Sequence, residues 1–179
     1  MTLREPGPQD LGALVDLLSL NDATRFGIDD PVSDIVVEQF LERATRNRLA
    51  GTAATYAILL TATKTLAGLI QIRQLDPAFE AAEWECTIAP SSRGTGAFLE
   101  AARLAGSLAF GTMGVHRLEA RVLVHNGRAN GALRKIGAVQ EGVLRRSVRR
   151  DDEYLDQTLW ALLKEDWGDR APSAAARVH

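Results

Sequence analysis

Hydrophobic positions recur along the chain at two spacings, and these spacings predict the order of helices and strands. Apolar residues at intervals of three and four follow Asp10, which is the expected N-cap of a first helix. The same spacing follows Ser33 and predicts a second helix with that serine as its cap. A third, longer helix is predicted after Gly96, and Gly111 and Gly114 are expected to end it.

Short apolar or alternating runs between turn residues predict the strands. They cover residues 2–4, 81–89, 115–124, 143–149 and 154–163, together with a hairpin formed by the runs 56–60 and 66–70. A short helix from Asn126 to Gly137 completes the order β-α-α-β-β-β-α-β-α-β-β. Because hairpins and helical crossovers are mixed, the sequence predicts an α/β or α+β fold with a mixed sheet.

A membrane span is the alternative interpretation of the segment predicted to form the hairpin. Residues 49–72 contain a single charge, Lys64, over a length that could cross a bilayer. However, the polar segment 61–65 divides this stretch into two short apolar runs, and a lysine at the bilayer centre costs about 2.5–3.5 kcal/mol. A buried hairpin is therefore the prediction, and with it a cytoplasmic protein that does not contact a membrane.

Composition narrows the class of protein. A chain of 179 residues that is 46% hydrophobic fits one ordinary domain, predicted at residues 1–167 with a flexible tail at 168–179. With 21 basic and 23 acidic residues, the net charge of −2 creates no long-range field that would gather nucleic acid. The single cysteine, Cys86, requires no oxidising compartment. The three histidines are scattered and no Cys/His spacing fits zinc, so no metal site is predicted.

One loop carries the candidate chemistry. A predicted strand ends near Ile88, the loop that follows contains Arg93, Gly94 and Gly96, and a helix starts at once. Glycines let backbone N–H groups turn toward a common point, and the helix N-terminus adds unpaired donors and a positive dipole end. The loop is thus a candidate phosphate or pyrophosphate site, and a purely structural glycine turn is the alternative. The motifs of magnesium-nucleotide, dinucleotide and serine-hydrolase sites are absent from the sequence.

The segments around this loop resemble, in order and spacing, the GNAT superfamily of N-acetyltransferases, and especially its RimJ/RimL-type branch. The loop Arg93-Gly-Thr-Gly96-Ala-Phe98 is similar to the family's Arg/Gln-x-x-Gly-x-Gly/Ala, and Phe98 in the last place is a departure. The other segments that share the resemblance are 3–10, 115–119, 126–129, 135–137, 141–145, 154–156 and 163–167. The resemblance covers about residues 2–167 and implies a three-layer α/β/α fold.

The resemblance implies acetyl-CoA as cosubstrate and direct transfer of its acetyl group, in a ternary complex, to a primary amine of a protein N-terminus or a small molecule. It also leaves a homodimer open. The residues implied for CoA binding are Ile88, Ala89, Arg93, Gly94, Thr95, Gly96, Ala97, Phe98 and Asn126. The loop amides would bind the pyrophosphate, Ile88 and Ala89 would pair with pantetheine, and a strand amide would polarise the thioester carbonyl. Asn126 has a compatible second role as a helix N-cap.

The acceptor amine must lose a proton before it attacks, because an amine with a pKa near 10 is only about 0.1% neutral at pH 7. Glu83 and Glu85, on the predicted strand beside the thioester, are the candidate general bases. A solvent-facing charge is the alternative for each. The aspartates between the first two helices could attract a cationic acceptor or belong to a solvated loop; they are Asp22, Asp29 and Asp30.

Three features keep other interpretations open. Leu133 stands where many relatives have a tyrosine, so no general acid is identified and a catalytically silent acyl-CoA-binding module is an alternative. Cys86 could carry an acyl group, although a buried small hydrophobe is favoured. An arginine cluster could bind RNA or the ribosome, although a solvated surface paired with its own acidic neighbours is favoured. Its members are Arg145, Arg146, Arg149 and Arg150.

Overall fold

The computed structural model describes residues 1–20, 26–28, 30–150 and 152–168, which are organised around a seven-stranded sheet. The strands are β1 (Thr2–Arg4), β2 (Ala53–Leu59), β3 (Leu66–Gln74), β4 (Ala81–Ile88), β5 (Arg117–Leu123), β6 (Val139–Arg150) and β7 (Glu153–Leu163). The helices are α1 (Leu11–Leu18), α2 (Asp34–Leu49), α3 (Ala97–Ser107), α4 (Gly127–Lys135) and α5 (Lys164–Gly168).

The strands lie in the order β1-β2-β3-β4-β5-β7-β6, and each neighbouring pair is antiparallel except β4 and β5, which are parallel. The predicted mixed sheet and the predicted order of elements are confirmed, and α5 is an addition to them. Strand β6 begins at Val139 rather than at the predicted Val143. The predicted hairpin forms from β2 and β3, and every residue of β2 is buried.

Helices cover both faces of the sheet. On one face, α3, α4 and α5 pack against residues such as Ile70 and Trp84. On the other face, α1 and α2 pack against Leu69. Because neighbouring strand residues point to opposite faces, Leu69 and Ile70 identify the two sides of a three-layer α/β/α arrangement. Within the part of the chain that the structure describes, no helix is long and apolar enough to cross a bilayer.

The two predicted helix caps turn out differently. Ser33 caps α2 as expected, since its hydroxyl accepts a hydrogen bond from the Val36 amide at 3.4 Å. Asp10 occupies the N-cap position of α1, but its carboxylate makes no bond to that helix. A 3₁₀ turn precedes α1, and the Asp10 carboxylate accepts instead from the Gly7 amide at 2.9 Å and from both terminal nitrogens of Arg4 at 2.8 Å. Burial alone would raise the pKa of Asp10, but these hydrogen bonds lower it.

The last described element, α5, lies close to the end of the segment that the resemblance covers. Trp167 of α5 packs on Phe110 with ring centroids 5.7 Å apart. Phe110 lies in a π-helical turn, Leu108–Thr112, that continues α3. Helix α5 ends at Gly168, and the rest of the predicted tail lies outside the described residues. The segment between α1 and α2 falls partly outside them as well.

Candidate active site

The parallel strands β4 and β5 are paired over only part of their length. Their described pairs run from Ala81↔Arg117 to Glu83↔Glu119, whereas β4 continues to Ile88 and β5 to Leu123. The two strands therefore separate beyond Glu83 and Glu119. This opens a cleft in the middle of the sheet, and the loop that precedes α3 lies at the end of β4.

The main-chain groups of β4 divide between its two neighbours. Ala89, directly after β4, donates its N–H to the Ala67 carbonyl at 2.8 Å. The odd-numbered residues of β4 therefore bond to β3, and the even-numbered residues point their main-chain groups toward β5. Because successive residues of a strand point their N–H and C=O groups to opposite sides, the amides of Cys86 and Ile88, which lie beyond the last pair with β5, face the cleft. The Ile88 carbonyl on that side accepts a hydrogen bond from Arg93 Nε at 3.0 Å. The cleft wall is thus lined by backbone donors that β5 does not take up.

The loop after β4 presents further N–H groups. The amides of Ser92 and Arg93 donate to the carbonyls of Ala89 and Pro90. The following amides, from Gly94 to Leu99, donate to no backbone carbonyl in the described part of the chain. Gly94 and Gly96 have φ angles of +79° and +88°, a region that side-chain-bearing residues rarely adopt. The two left-handed residues turn the chain so that several donors converge at the helix N-terminus.

The surroundings of the loop leave it accessible. Thr95 donates its hydroxyl to the Ser92 carbonyl at 2.8 Å, which holds the bend in shape. A pocket of about 380 Å³ opens beside Thr95 and Ala97 and is walled by the turn between β2 and β3. Phe98, the departure from the family pattern, turns inward and packs on Trp84 with ring centroids 5.8 Å apart. Its bulk therefore lies in the core and away from the converging amides.

Asn126 lies at the end of β5 and caps α4. Its side-chain oxygen accepts from the Ala129 amide at 3.1 Å, so its capping role is present. Asn130, which the sequence did not single out, connects this helix to the sheet. Its side-chain nitrogen donates to the Leu123 carbonyl at 3.0 Å, and its oxygen accepts from the Trp160 indole at 2.8 Å. Two asparagines thus fix α4 at the far side of the cleft.

Glu83 is buried and fully engaged, which removes the interpretation of it as a solvent-facing charge. Its side chain is 4% exposed and forms ion pairs with Arg73 of β3 and Arg121 of β5. The pairs continue along β5, where Arg117 contacts Glu119 at 2.8 Å and also binds Glu141 of β6. We call these six residues the charged ladder: Arg73, Glu83, Arg121, Glu119, Arg117 and Glu141.

Glu85 lies on the same face of β4 as Glu83 and has different surroundings. It is half-buried, and its Oε2 atom is buried without a hydrogen-bond partner among the described residues. Burial raises the pKa of Glu85, and the neighbouring charge of Glu83 raises it further, while Arg73 and Arg121 act in the opposite direction. Of the two candidate bases, Glu85 is therefore the carboxylate that is free to take a proton.

The remaining candidates are distributed as follows. Leu133 of α4 is 2% exposed and packs in the core, so this position supplies no acid. Burial raises the pKa of the Cys86 thiol to about 12, which keeps it protonated at neutral pH and disfavours a role as acyl carrier. Asp22 and Asp29 lie outside the described residues, and Asp30 is exposed. Among the described residues, no group of three His, Cys, Asp or Glu side chains could hold a metal ion.

The arginine cluster lies on the β6–β7 hairpin, at the edge of the sheet. Arg149 contacts Asp152 at 3.3 Å, and the Arg146 amide donates to Asp156 at 2.7 Å. The Arg149–Asp152 pair fits the expectation of a surface paired with its own acidic neighbours, whereas the Arg146 contact is made by its main-chain amide. The cluster lies on the hairpin, outside the cleft between β4 and β5.

Comparisons with known proteins give one family and one fold. The profile of the acetyltransferase (GNAT) domain matches residues 1–139. A search of curated proteins gave no significant match. Among solved structures, the chain is similar to spermidine N-acetyltransferase from Vibrio cholerae in complex with CoA and spermine. The identity is 22%, the TM-score is 0.80, and the match covers 93% of this chain and 96% of that one.

A second solved structure gives the same result. It is the spermidine/spermine N-acetyltransferase of Vibrio cholerae in complex with manganese ions, with 22% identity, a TM-score of 0.76 and coverage of 96% of both chains. At this level of identity, the similarity shows the fold that the two proteins share.

Proposed function

Because the chain belongs to the GNAT family of acetyltransferases, we propose that it moves the acetyl group of acetyl-CoA to a primary amine by direct attack in a ternary complex. The amine belongs to a small molecule or a protein N-terminus, and within the family the chain is of the RimJ/RimL-like type. One observation carries this proposal: β4 and β5 separate beyond Glu83 and Glu119, and unpaired main-chain N–H groups line the opening.

The cosubstrate fits the cleft by its chemistry. The pyrophosphate is placed at the converging amides of the segment 93–98, where the helix dipole and the Arg93 guanidinium add positive charge. The pantetheine arm is placed along β4, where Ile88 offers its N–H to the cleft. Ala89 lies beside the pantetheine arm but does not donate to it, because its N–H is bonded to the Ala67 carbonyl. One cleft-facing amide of β4 polarises the thioester carbonyl, and Asn126 lies across the cleft from it.

Glu85 is assigned as the general base. Deprotonating an amine at pH 7 costs roughly 4 kcal/mol, and a positioned carboxylate offsets much of this. Glu83 is a poorer choice because its side chain is buried and is already held in ion pairs with Arg73 and Arg121. The leaving thiolate needs less help, since a thiol with a pKa of about 8.5 leaves readily near neutral pH. Its protonation is assigned to water, because Leu133 offers no proton.

Calorimetric titration with acetyl-CoA tests the proposal. We expect binding at sub-millimolar concentration for the wild-type protein and none for Gly96→Asp, whose carboxylate would repel the pyrophosphate and whose Cβ would strain a φ angle of +88°. Gly51→Asp is the matched control, because Gly51 has a φ angle of +71°, has open space around it and lies after α2. Equal binding by both variants, or no binding by the wild type, would refute the proposal.

A second assay separates the enzyme from the catalytically silent module. Release of the CoA thiol is measured with a panel of primary amines and N-terminal peptides. Amine-dependent release supports the transferase. Acetyl-CoA binding without release from any acceptor would favour a binding module, an outcome consistent with the buried Leu133.

A further inference from the structure

We infer that the acceptor is an amine that also carries an anionic group, with its ammonium bound by Glu85 and its anionic group bound by Arg121. This inference rests on the proposed function and deepens it by giving the substrate class. The observation that carries it is the juxtaposition of a partnerless carboxylate and a loosely held guanidinium at the mouth of the cleft.

The positions of the two residues follow from the register of β4 and β5. Glu83 and Glu119 are the last paired residues, and Glu85 and Arg121 are each two positions further along their strands. Side chains two residues apart share a face, so both point to the face that α1 and α2 cover. Because the strands separate at this point, Glu85 and Arg121 are the first side chains to flank the opening on that face.

Glu85 has capacity for a cation. Its Oε2 atom is buried and accepts no hydrogen bond among the described residues, although an ionised carboxylate has about four acceptor positions. Gln71, which is opposite on β3, donates its side-chain nitrogen to Thr55 at 2.8 Å. An ammonium group at the mouth of the cleft would supply the missing donors.

Arg121 has capacity for an anion. Its Nε lies 3.7 Å from Glu83 and its Nη2 lies 3.9 Å from Glu119, and both distances exceed a hydrogen bond. Its side chain is 37% exposed. By contrast, Arg117 is held by hydrogen bonds to Glu119 and Glu141. Arg121 is therefore the arginine of β5 whose fork of donors remains able to bind a carboxylate or a similar anion.

The charges around this position also disfavour a second cation on the acceptor. The groups that share the face with Glu85 are Arg73 of β3, Glu83 of β4, Arg121, Glu119 and Arg117 of β5, and Glu141 of β6. Their three positive and three negative charges balance, so among these described groups Glu85 is the charge without a counterpart. One ammonium neutralises it, and a further ammonium near Arg73 or Arg121 would meet like charge.

Two matched acceptor series test the inference by steady-state kinetics with acetyl-CoA. The first is 4-aminobutyrate, butylamine and putrescine, which share a four-carbon chain and end in an anionic, a neutral and a cationic group. The second is phenylalanine against phenethylamine. We expect kcat/KM for the anionic member of at least one series to exceed that of its neutral member about tenfold, mainly through KM. The kcat/KM of putrescine is expected to be lower than that of butylamine.

Variants of Arg121 assign the preference to this residue. Arg121→Gln should remove the difference in kcat/KM between anionic and neutral acceptors. Arg121→Glu should reverse the order of kcat/KM, so that putrescine becomes the best acceptor of its series. A purely structural role would not produce this reversal. Arg145→Gln is the matched control, since Arg145 is exposed on the β6–β7 hairpin, and it should keep the wild-type order.

The outcomes separate the inference from the proposed function. A wild-type preference for putrescine or a neutral amine overturns the inference and leaves the transferase standing. An unchanged preference in Arg121→Gln also overturns it. Absence of thiol release with every acceptor overturns both. If the Arg121 variants no longer bind acetyl-CoA, the acceptor preference of the wild-type protein in the two series tests the inference by itself.

Discussion

Two carboxylates on β4, two residues apart, have opposite environments. Glu83 is neutralised by arginines from both neighbouring strands, whereas Glu85 has a buried oxygen without a partner. A desolvated carboxylate holds a proton more readily than one in water, and burial raises the pKa of Glu85. The different environments favour separate tasks for the two residues: Glu83 fixes the strands, and Glu85 is the proposed base.

Replacing Glu85 tests this division. Glu85→Gln should lower kcat by about 10²–10⁴-fold, because an amide cannot take the proton of the amine. The same change should raise the midpoint of thermal unfolding near pH 7, because it removes a desolvated charge. Kinetics and thermal unfolding measured on the same samples check both effects. Glu153→Gln, on the exposed β6–β7 hairpin, is the control and should change neither.

The pH dependence has a definite sign. Since the folded-state pKa of Glu85 is raised, its contribution to stability is present below the ordinary pKa of a glutamate and is lost as the pH rises through the raised value. The acidic limb of kcat/KM should lie above the usual glutamate range for the same reason. An acidic limb that persists in Glu85→Gln would assign the base to another group.

At the level of single residues, the sequence predicts which side chains lie together along one strand and leaves their partners on other strands open. Alternation placed Glu83 and Glu85 on one face. Arg73 and Arg121 were not singled out, because their approach depends on the registers Arg73↔Glu83 and Glu83↔Glu119. Register follows from turn geometry and from burial of whole strands, and no local pattern in the sequence encodes it.

At the level of elements, prediction succeeded where apolar spacing was strong and stopped where tertiary contacts decide the structure. The start of β6 contains Gln140, Glu141 and Gly142, which carry no alternation, and pairing with β7 makes this segment a strand. Helix α5 has only five residues, too few for a periodic pattern. It forms because Trp167 packs in the core beside α3.

A glycine of α3 makes room for α5 and provides a test at this scale. A Cβ on Gly106 would lie 2.5 Å from the Trp167 ring, so Gly106→Ala should destabilise the protein by about 1–3 kcal/mol through overpacking. Gly131→Ala in α4 is the matched control. A Cβ there has open space, so the higher helix propensity of alanine should leave stability equal or raise it by up to about 1 kcal/mol. Chemical unfolding of the two variants gives the comparison, and equal stabilities would contradict the packing of α5 against α3.

At the level of the whole molecule, the sheet consists of two parts that meet at one short parallel ladder. Strands β1 to β4 form one part and β5, β7 and β6 the other, and only the pairs from Ala81↔Arg117 to Glu83↔Glu119 join them in the described structure. The charged ladder crosses this junction. Its outer pairs are partly exposed and contribute at most about 1 kcal/mol each. The pairs of buried Glu83 must also offset the desolvation of the charges. The main effect of the ladder is therefore to fix the geometry at the apex of the cleft. The sequence predicted the loop and the element order, but the length of a parallel ladder has no sequence signal.

Hydrogen exchange would show whether this junction opens onto the ligand site. Without a ligand, the cleft-facing amides of β4 and the amides of 94–99 have no backbone acceptor on that side and should exchange rapidly. Saturation with CoA at about 100 times its dissociation constant adds about 2.7 kcal/mol to the opening free energy, which slows exchange there about 100-fold. The β6–β7 hairpin at residues 143–150 lies at the far edge of the sheet and serves as the internal control, since its exchange by local fraying should not change. Protection confined to the hairpin, with residues 86–99 unaffected, would place the ligand outside the cleft and remove the physical basis for transfer between β4 and β5.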